Sequence, residues 1–363
     1  MAEKVSKPLT LEEFNKEVMA KYGKNVISNS KGEFANSTAS RFSSGIYSLD
    51  VALGGGWPIG KIGLIAGQFS EGKTEICLQA IGSMANYDKR TKLHKLVMPQ
   101  GTPFEPCRSV YIDLEYTFDT PWAISKGFNP AKDSIIRPSS GESTVDIVSE
   151  IIGNNLYDLV VVDSLAAATP TKEVESSAED VLVGNHARLL NRAFRMWTNQ
   201  AVRVSSRGQV PPTVLCINQI RYNIGVMFGD PRTMPGGQMQ RFAASVILYT
   251  KSAKYGEKGG ESQVELSGVI FKNKTYRPKE LFSYKLAVGD VSPELPKGTI
   301  DNISDIVKDA SDSKFIIRKG SNYELFGVSY PSVAAIRDAI HANEVLKVKL
   351  WRSLIKHRTG NLI

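Results

Sequence analysis

The segment GQFSEGKT at residues 67–74 constrains the fold of this chain more than any other stretch. It has the spacing glycine, four residues, glycine, lysine, threonine, and it joins an apolar run (61–67) to a helix-like stretch (74–86). In that context the backbone N–H groups of the loop and the first turn of the helix face a phosphate group. We therefore predict a phosphate-binding loop built by Gly67, Gln68, Phe69, Ser70, Glu71, Gly72, Lys73 and Thr74.

The chemistry of such a loop predicts ATP and Mg²⁺ as its ligands. Lys73 is placed to reach the β- and γ-phosphate oxygens, and the hydroxyl of Thr74 to coordinate Mg²⁺. Glu75 follows in the first helical turn, where a carboxylate suits the helix dipole. The alternative interpretation of the loop is a chance match in a glycine-rich turn.

Short apolar runs alternate with helix-like segments from about residue 41 to residue 290. After the first run they lie at 109–115, 158–165, 213–220, 245–251, 264–272 and 281–288. Strands that alternate with helices indicate a parallel sheet covered on both faces, and the closely spaced later runs indicate an antiparallel extension. The predicted fold class is α/β, with a mostly parallel central sheet. Residues 87–108 and 252–262 are predicted to be inserted loops.

Acidic residues end two of the predicted strands. Asp163 closes DLVVVDS (158–164) and is predicted to hold Mg²⁺; the alternative is a solvated acid at a strand end. Asp113 and Glu115 end YIDLE (111–115) two residues apart, and therefore on one face of a strand. At the carboxyl edge of a parallel sheet, Glu115 is our candidate for accepting a proton from attacking water. The alternative role for Glu115 is a helix cap.

Composition sets wider limits. The 363 residues carry a net charge of +8, which permits a polyanionic partner. Three cysteines without close spacing and four scattered histidines favour neither a disulfide framework nor a zinc site. The N-terminus lacks the apolar segment of a signal peptide, and no stretch is long enough to span a membrane. We expect a soluble, cytoplasmic protein without a membrane partner.

The stretch NQIRYNIGVMFGDPRTMPGG (218–237) resembles the second DNA-binding loop of the RecA family of strand-exchange recombinases. Further segments resemble that family in the same order along residues 10–290. They are LEEFNKEVMAKYGK (11–24), SLDVALGGGWPIGKI (48–62), YIDLEYTFD (111–119), VVVDSLAA (160–167) and VIFKNKTYRP (269–278). The resemblance implies a RecA-like P-loop ATPase core, preceded by an N-terminal helix. The helical spacing of Leu11, Phe14, Val18 and Met19 also indicates this N-terminal helix.

The resemblance also implies roles for single residues. Glu115 occupies the place of the catalytic base, and Gln219 that of the sensor that reports the γ-phosphate to the DNA site. Asp119 and Trp122 fall where the family contacts the adenine base. Lys272 and Lys274 fall where the family reaches the ATP of the adjacent subunit. Without the resemblance, the tripeptide KNK (272–274) is typical of a solvated turn.

The candidate DNA-binding residues combine flexible backbone, positive charge and apolar surface, which suits sequence-independent binding of single strands. They are Arg188, directly after a first loop within 172–187, and Arg221, Tyr222, Asn223, Ile224, Gly225, Val226, Met227, Phe228, Arg232, Gly236 and Gly237 of the second loop. Asn223 stands where the family often has a basic residue. The alternative for the second loop is a mobile lid that packs on the core of the protein itself.

The sequence predicts three regions along the chain. Residues 1–40 are predicted to form a polymerisation helix and linker, residues 41–290 the ATPase core, and residues 291–363 a small, basic, α-rich domain. The last 33 residues carry six Lys or Arg against two Asp or Glu. In that domain Arg352, Lys356 and His357 are candidates for gathering duplex DNA, and a solvated helix face is the alternative.

The predicted function is that of a DNA-dependent ATPase. It would form helical filaments of this chain on single-stranded DNA and exchange strands with a homologous duplex. Loader and single-strand-binding proteins are candidate further partners, and a bacterial cytoplasm or a phage-infected cell is the expected location. The alternatives are a hexameric helicase on the same fold, and a DNA-coating protein that binds ATP without hydrolysing it.

Overall fold

A computed structural model of the chain describes residues 10–22, 40–175, 184–222, 232–255 and 262–361. The elements up to the middle of the chain are, in order, α1 (Leu11–Tyr22), β1 (Arg41–Phe42), α2 (Tyr47–Leu53), β2 (Trp57–Pro58), β3 (Ile62–Gly67), α3 (Lys73–Met84), β4 (Ser109–Asp113), α4 (Thr120–Ser125), β5 (Ser134–Ile136), α5 (Gly141–Gly153), β6 (Leu159–Asp163) and α6 (Thr171–Glu175). Those that follow are α7 (Asn185–Ser206), β7 (Thr213–Gln219), β8 (Arg221–Tyr222), β9 (Arg232–Thr233), α8 (Met239–Ala243), β10 (Val246–Tyr255), β11 (Gln263–Asn273), β12 (Leu281–Ala287), α9 (Asn302–Asp312), β13 (Ile316–Lys319), β14 (Asn322–Leu325), β15 (Val328–Tyr330), α10 (Val333–Ala342) and α11 (Glu344–Thr359).

The described residues build one large sheet with the strand order β12-β11-β10-β3-β7-β6-β4-β5. The strands from β10 to β5 are parallel to one another, and β11 and β12 are antiparallel. The α/β prediction, with a mostly parallel sheet and an antiparallel extension, is confirmed. The phosphate-loop strand β3 lies inside the sheet, between β10 and β7.

Apolar side chains cover both faces of the sheet, as expected for strands that are buried on either side. On one face, Ile76 and Ile81 of α3 pack into a cluster with Ile65 and Leu215 of the sheet. On the other face, Trp197 of α7 packs into a second cluster together with residues of α5. The strand β6 is buried at all five positions, which explains its unbroken apolar sequence.

The C-terminal region has an apolar cluster of its own, and its structure corrects the sequence-based prediction in part. The helices α9, α10 and α11 agree with the predicted α-rich character, but β13, β14 and β15 form an antiparallel sheet that the sequence does not predict. These strands are three or four residues long and mostly exposed, so they carry no alternation of apolar and polar residues that could be recognised.

One smaller correction concerns the first half of the chain. The strand β4 ends at Asp113, so Glu115 lies beyond the strand in a bend, and the two carboxylates do not share a strand face. Residues 87–108 form the expected irregular segment, pinned by isolated bridges from Tyr87 to His94 and from Asp88 to Pro106. A capping box begins α1, since Thr10 and Glu13 exchange hydrogen bonds. Within the described residues, no helix has the length and apolar character needed to cross a membrane.

Candidate functional site

The phosphate loop leaves the carboxyl end of β3 at a position that only glycine can fill. A Cβ atom at Gly67 would lie 1.7 Å from Thr250 Oγ1 and 2.4 Å from Glu71 Oε2. Gly72 has a φ of 76° directly before α3, in the left-handed region that favours glycine. The helix then begins at Lys73. The free N–H groups of this helix start can therefore bind an anion, as the sequence predicts.

The buried side chain of Glu71 stabilises the conformation of the phosphate loop. Its carboxylate accepts hydrogen bonds from the Gln68 backbone N–H (2.7 Å) and from the Thr250 hydroxyl (2.7 Å), and the residue is 7% exposed. Lys73 Nζ donates to the Gln68 carbonyl oxygen. Burial lowers the pKa of Lys73, and the nearby carboxylates Glu71, Asp163 and Glu115 oppose that shift. Phe69 projects from the same loop with 80% of its surface exposed.

Asp163 and Thr74 meet as the sequence predicts for Mg²⁺ ligands. The Thr74 hydroxyl donates to Asp163 Oδ2 at 3.0 Å, and the buried Tyr111 hydroxyl donates to the same oxygen. Burial raises the pKa of Asp163, while the bonds from Tyr111 and Thr74 and the charge of Lys73 lower it. No group of three or more His, Cys, Asp or Glu within the described ranges could enclose a metal ion. Because Mg²⁺ is usually bound by one or two protein oxygens together with phosphates and water, Thr74 and Asp163 fit it.

Glu115 lies beside this pair with its surface exposed to solvent. Ser164, the residue after Asp163, donates from its hydroxyl to Glu115 Oε1 at 2.5 Å. Asp113 differs from Glu115 because it is buried, pairs with Arg137 at 3.0 Å and accepts from the backbone N–H of Thr117. The cap of the next helix, α4, is Asp119, so the helix-cap alternative for Glu115 is wrong.

Asp119 and Trp122, the two residues predicted to contact adenine, form hydrogen bonds with other residues of the chain. The Asp119 carboxylate caps α4 by accepting from the Trp122 backbone N–H at 3.0 Å. The Trp122 indole N–H donates to Glu75 Oε2 at 3.0 Å, and Lys126 Nζ lies 3.9 Å from the centre of its ring. Lys126 also pairs with Glu75 at 3.2 Å, with both side chains buried. Glu75, for which the sequence indicated only a dipole effect, therefore joins α3 to α4.

Gln219 lies directly beside the phosphate loop. It is paired with Gly67 in the register of β3 and β7, and the backbone N–H of Ile220 donates to the Gly67 carbonyl at 3.1 Å. The neighbouring Asn218 is fully buried and donates to Gln240 Oε1 (2.8 Å) and to the Pro235 carbonyl (3.0 Å). Gln240 donates in turn to the Pro235 and Gly237 carbonyls. This amide pair, which sequence reasoning missed, ties the returning limb of the second loop to the end of β7.

The described ends of the second loop form the short β8–β9 ribbon, in which Arg221 pairs with Thr233. Arg221 is exposed, whereas the Arg232 guanidinium lies 4.7 Å from the ring centre of Tyr249. A Cβ atom at Gly236 would lie 2.1 Å from Leu190 Cδ1, and Gly236 and Gly237 have φ angles of 97° and 78°. These two glycines therefore allow a close approach to α7.

Arg188 is exposed in the first turn of α7. The predicted contacts Asn223, Ile224, Gly225, Val226, Met227 and Phe228 lie outside the described residues, as do the side chain of Tyr222 and residues 176–183 of the first loop.

Lys272 and Lys274 hold the end of α8. Lys272 Nζ donates to the carbonyls of Arg241 and Ala244, and Lys274 Nζ to that of Phe242 at 3.0 Å. Lys272 is in register with Ile247, and Ile247 with Leu64, three residues before Gly67. At a rise of about 3.3 Å per residue, the two lysines lie roughly 10 Å toward the opposite end of the sheet from their own phosphate loop.

Comparisons with known proteins agree with this geometry. The sequence model of the RecA N-terminal domain matches residues 9–290. A protein named Protein RecA from Synechococcus sp. is 31% identical over 296 residues, which are 82% of this chain and 70% of the relative. Protein RecA from Prochlorococcus marinus is 31% identical over 297 residues, with the same shares of the two chains.

Proposed function

This chain belongs to the RecA family, and from that premise we propose that its nucleotide site powers a filament of this chain on single-stranded DNA. The protein is a DNA-dependent ATPase of recombination and repair that pairs a single strand with a homologous duplex and exchanges strands. ATP with Mg²⁺ and both forms of DNA are its ligands, and further copies of the chain are its partners. We propose that its domain boundaries lie after residues 40 and 290.

One observation carries the link between ATP and DNA. Gln219 is in register with Gly67, the first residue of the phosphate loop, and two residues later the chain enters the DNA-side ribbon at Arg221. A γ-phosphate on the loop therefore lies within reach of the strand from which the DNA loop departs. We assign Gln219 as the residue that transmits the nucleotide state to that loop.

Each residue of the nucleotide site has its own proposed role in ATP hydrolysis. Lys73 and the loop N–H groups hold the phosphates, while Thr74 and Asp163 provide the oxygens for Mg²⁺, which neutralises charge on the phosphates. Glu115, held by Ser164, accepts the proton of the attacking water. Asp119 and Trp122 border the adenine side. Because ADP lacks the γ-phosphate, hydrolysis removes the contact that stabilises the DNA-binding state.

Lys272 and Lys274 are assigned to the neighbouring subunit's ATP. Their position toward the other end of the sheet supports this assignment, because they do not serve their own phosphate loop. Positive charge supplied in this way stabilises charge on the transferred phosphoryl group. Arg188, Arg221 and the residues of 222–237 are assigned to DNA. A loader protein or a single-strand-binding protein as partner remains part of the proposal.

Phosphate release, measured with and without single-stranded DNA, tests the proposed coupling. We expect DNA to stimulate hydrolysis, and electron microscopy with ATP and single-stranded DNA to show helical filaments. Closed rings would favour the helicase alternative, and ATP binding without phosphate release would favour the coating protein. Formation of D-loops from matched DNA, absent with unmatched DNA, tests strand exchange directly.

A further inference from the structure

A cavity of about 240 Å³ lies between the end of α3, the segment 87–108 and the start of α11. At about 30 Å³ per water, it has room for roughly eight water molecules. Its wall brings together three cationic side chains from different parts of the chain: Lys126, Lys347 and Arg352. None of the ATP roles assigned above uses this cavity, and Arg352 is the one lining residue for which a contact with duplex DNA is the alternative.

Two of the three cations already have acidic partners. Lys126 pairs with Glu75, and Lys347 pairs with Glu344 at 2.5 Å. The Nη1 atom of Arg352 is different: it is buried and has no hydrogen-bond partner among the described residues. A buried guanidinium nitrogen without an acceptor is costly. Because Nη1 has almost no accessible surface, the guanidinium must turn toward the cavity before a ligand there can supply the missing acceptor.

The electrostatics of the cavity support an anion. His94 lines it, and burial lowers the pKa of His94 to about 4; the charges of Lys95, Arg352 and Lys347 lower that pKa further, and only Glu344 opposes them. The side chain of His94 is therefore neutral at pH 7, because it is buried and lies in a positive field. Ser83 and Asn86 add neutral polar groups to the wall.

We propose that this cavity binds a small phosphate-type anion, toward which the Arg352 guanidinium turns so that Nη1 donates a hydrogen bond to it. Charge-assisted bonds from a guanidinium suit phosphate oxygens, and the size of the cavity suits phosphate or pyrophosphate. A cavity of about 240 Å³ is too small to admit a duplex. Lys356 and His357, one to two turns further along α11, are exposed and do not line the cavity.

The anion also has a physical route to the ATP site. Lys126, in the cavity wall, pairs with Glu75, which follows the Mg²⁺ ligand Thr74 at the start of α3. An anion that attracts Lys126 weakens this pair. The cavity is therefore a regulatory anion site between the ATPase core and the C-terminal helices, and it stands independently of the DNA function.

Calorimetric titration of the full chain with pyrophosphate tests the proposal, with Lys73→Ala present throughout so that the phosphate loop does not contribute. We expect one site, whose affinity falls tenfold or more when Arg352→Met is added, on the order of the loss of one charge-assisted hydrogen bond. Methionine keeps the apolar stem of the side chain. Lys356→Met, on the same helix and with the same change of charge, is the matched control and leaves the affinity unchanged.

Absence of binding in the Lys73→Ala protein, or equal affinity with and without Arg352→Met, would overturn the proposal. Displacement of pyrophosphate by a short duplex would also overturn it, and would reassign Arg352 to DNA. If thermal melts show that Arg352→Met is unfolded, Arg352→Lys and Lys347→Met are titrated instead. Retention of affinity in the first and a tenfold loss in the second would support the site, and no change in Lys347→Met would contradict it.

Discussion

Hydroxyl groups hold the two carboxylates at the centre of the site. Tyr111 and Thr74 both donate to Oδ2 of Asp163, and Ser164 donates to Oε1 of Glu115. Donors on one oxygen fix the orientation of a carboxylate and leave its other oxygen available. We therefore expect Asp163 to present an oxygen to Mg²⁺ and Glu115 to present one to water. The proposed chemistry depends on residues of two neighbouring strand ends and on Thr74 of the phosphate loop.

Replacing Glu115 with glutamine removes the proposed proton acceptor and keeps the size of the side chain. We expect ATP turnover to fall about 100-fold or more, because a general base contributes roughly 10² to 10⁴ in rate. ATP binding should persist, and filaments should therefore remain on single-stranded DNA. Phosphate release and DNA retention by gel shift measure the two effects. Glu150→Gln, at an exposed position of α5, is the control, and normal turnover in Glu115→Gln would remove Glu115 from the mechanism.

Tyr111→Phe removes one hydrogen bond from Asp163. Burial already raises the pKa of Asp163 and the Tyr111 bond lowers it, so the variant should raise this pKa further. The carboxylate then takes up its proton at a higher pH, and activity is lost earlier as pH falls. At neutral pH we expect the Mg²⁺ concentration for half-maximal ATPase to rise about tenfold, as is common for residues that support a metal ligand.

Tyr116→Phe is the matched control for that measurement, because Tyr116 is 64% exposed and its hydroxyl does not contact Asp163. An unchanged Mg²⁺ requirement in Tyr111→Phe, together with an unchanged acid limb of the pH profile, would show that the Tyr111 hydroxyl has no part in metal binding.

Site features carried by a short stretch of sequence could be predicted, whereas contacts between residues that the fold brings together could not. The loop Gly67–Thr74 and the acid Asp163 carry local patterns, and Thr74 and Asp163 do meet in the structure. Tyr111 could have been identified as a residue of the site from the sequence, since it lies two residues before Asp113 and thus on the same strand face. The Thr250 bond to Glu71 joins residues 179 positions apart, and no local signal in the sequence predicts it.

At the scale of elements, α8 connects the DNA side of the sheet to its opposite end. Gln240, in its first turn, is bonded to Asn218 at the end of β7. At its other end, Lys272 and Lys274 bond to its last carbonyls. The helix has only five residues, too few for a periodic pattern, so the sequence did not predict it. We therefore predict that a movement of the DNA loop would be transmitted along α8 to the two lysines.

Gln240→Ala should uncouple that helix from β7. It removes one hydrogen bond from the buried Asn218 amide and one from the Pro235 carbonyl, which stay bonded to each other, at a cost of about 1–3 kcal/mol. We expect affinity for single-stranded DNA to fall about tenfold, with most of the stimulation of ATPase by DNA lost and the basal rate retained. Fluorescence anisotropy and phosphate release measure the two. Gln238→Ala is the control, because Gln238 is exposed and makes no cap bond; equal behaviour of the two variants would contradict the coupling.

At the scale of the whole molecule, buried polar contacts fix the C-terminal helices to the core. Trp351 of α11 donates to Asp50 of α2 at 3.1 Å, although the two residues are 301 positions apart. Tyr47 of α2 donates to Asp309 of α9. The composition of the chain predicted a basic C-terminal region, but a contact of this separation leaves no trace in a single sequence. We therefore predict that the core and the C-terminal helices act as one body toward neighbouring copies in the proposed filament.

If Lys272 and Lys274 act as proposed, each ATP site in such a filament is formed by two subunits, and mixing variants tests this. One variant carries Glu115→Gln, and the other carries Lys272→Ala with Lys274→Ala; each alone should have little activity. In a mixed filament, an interface is complete when one subunit supplies Glu115 and its neighbour supplies both lysines. Random mixing at equal amounts makes about a quarter of the head-to-tail interfaces complete. We therefore expect DNA-stimulated phosphate release to recover to roughly that fraction of the unmodified rate.

The control for mixing is a chain that carries all three substitutions, combined with either variant at the same total concentration. No complete interface then forms, because every interface lacks either Glu115 or the lysine pair, and the rate should stay at the level of the separate variants. Recovery in this control would trace the activity to a source other than a shared site. Absence of recovery in the first mixture, with electron microscopy showing mixed filaments, would place Lys272 and Lys274 outside the chemistry. The two lysines would then act only as caps of α8 within their own subunit, as their bonds to Arg241, Phe242 and Ala244 permit.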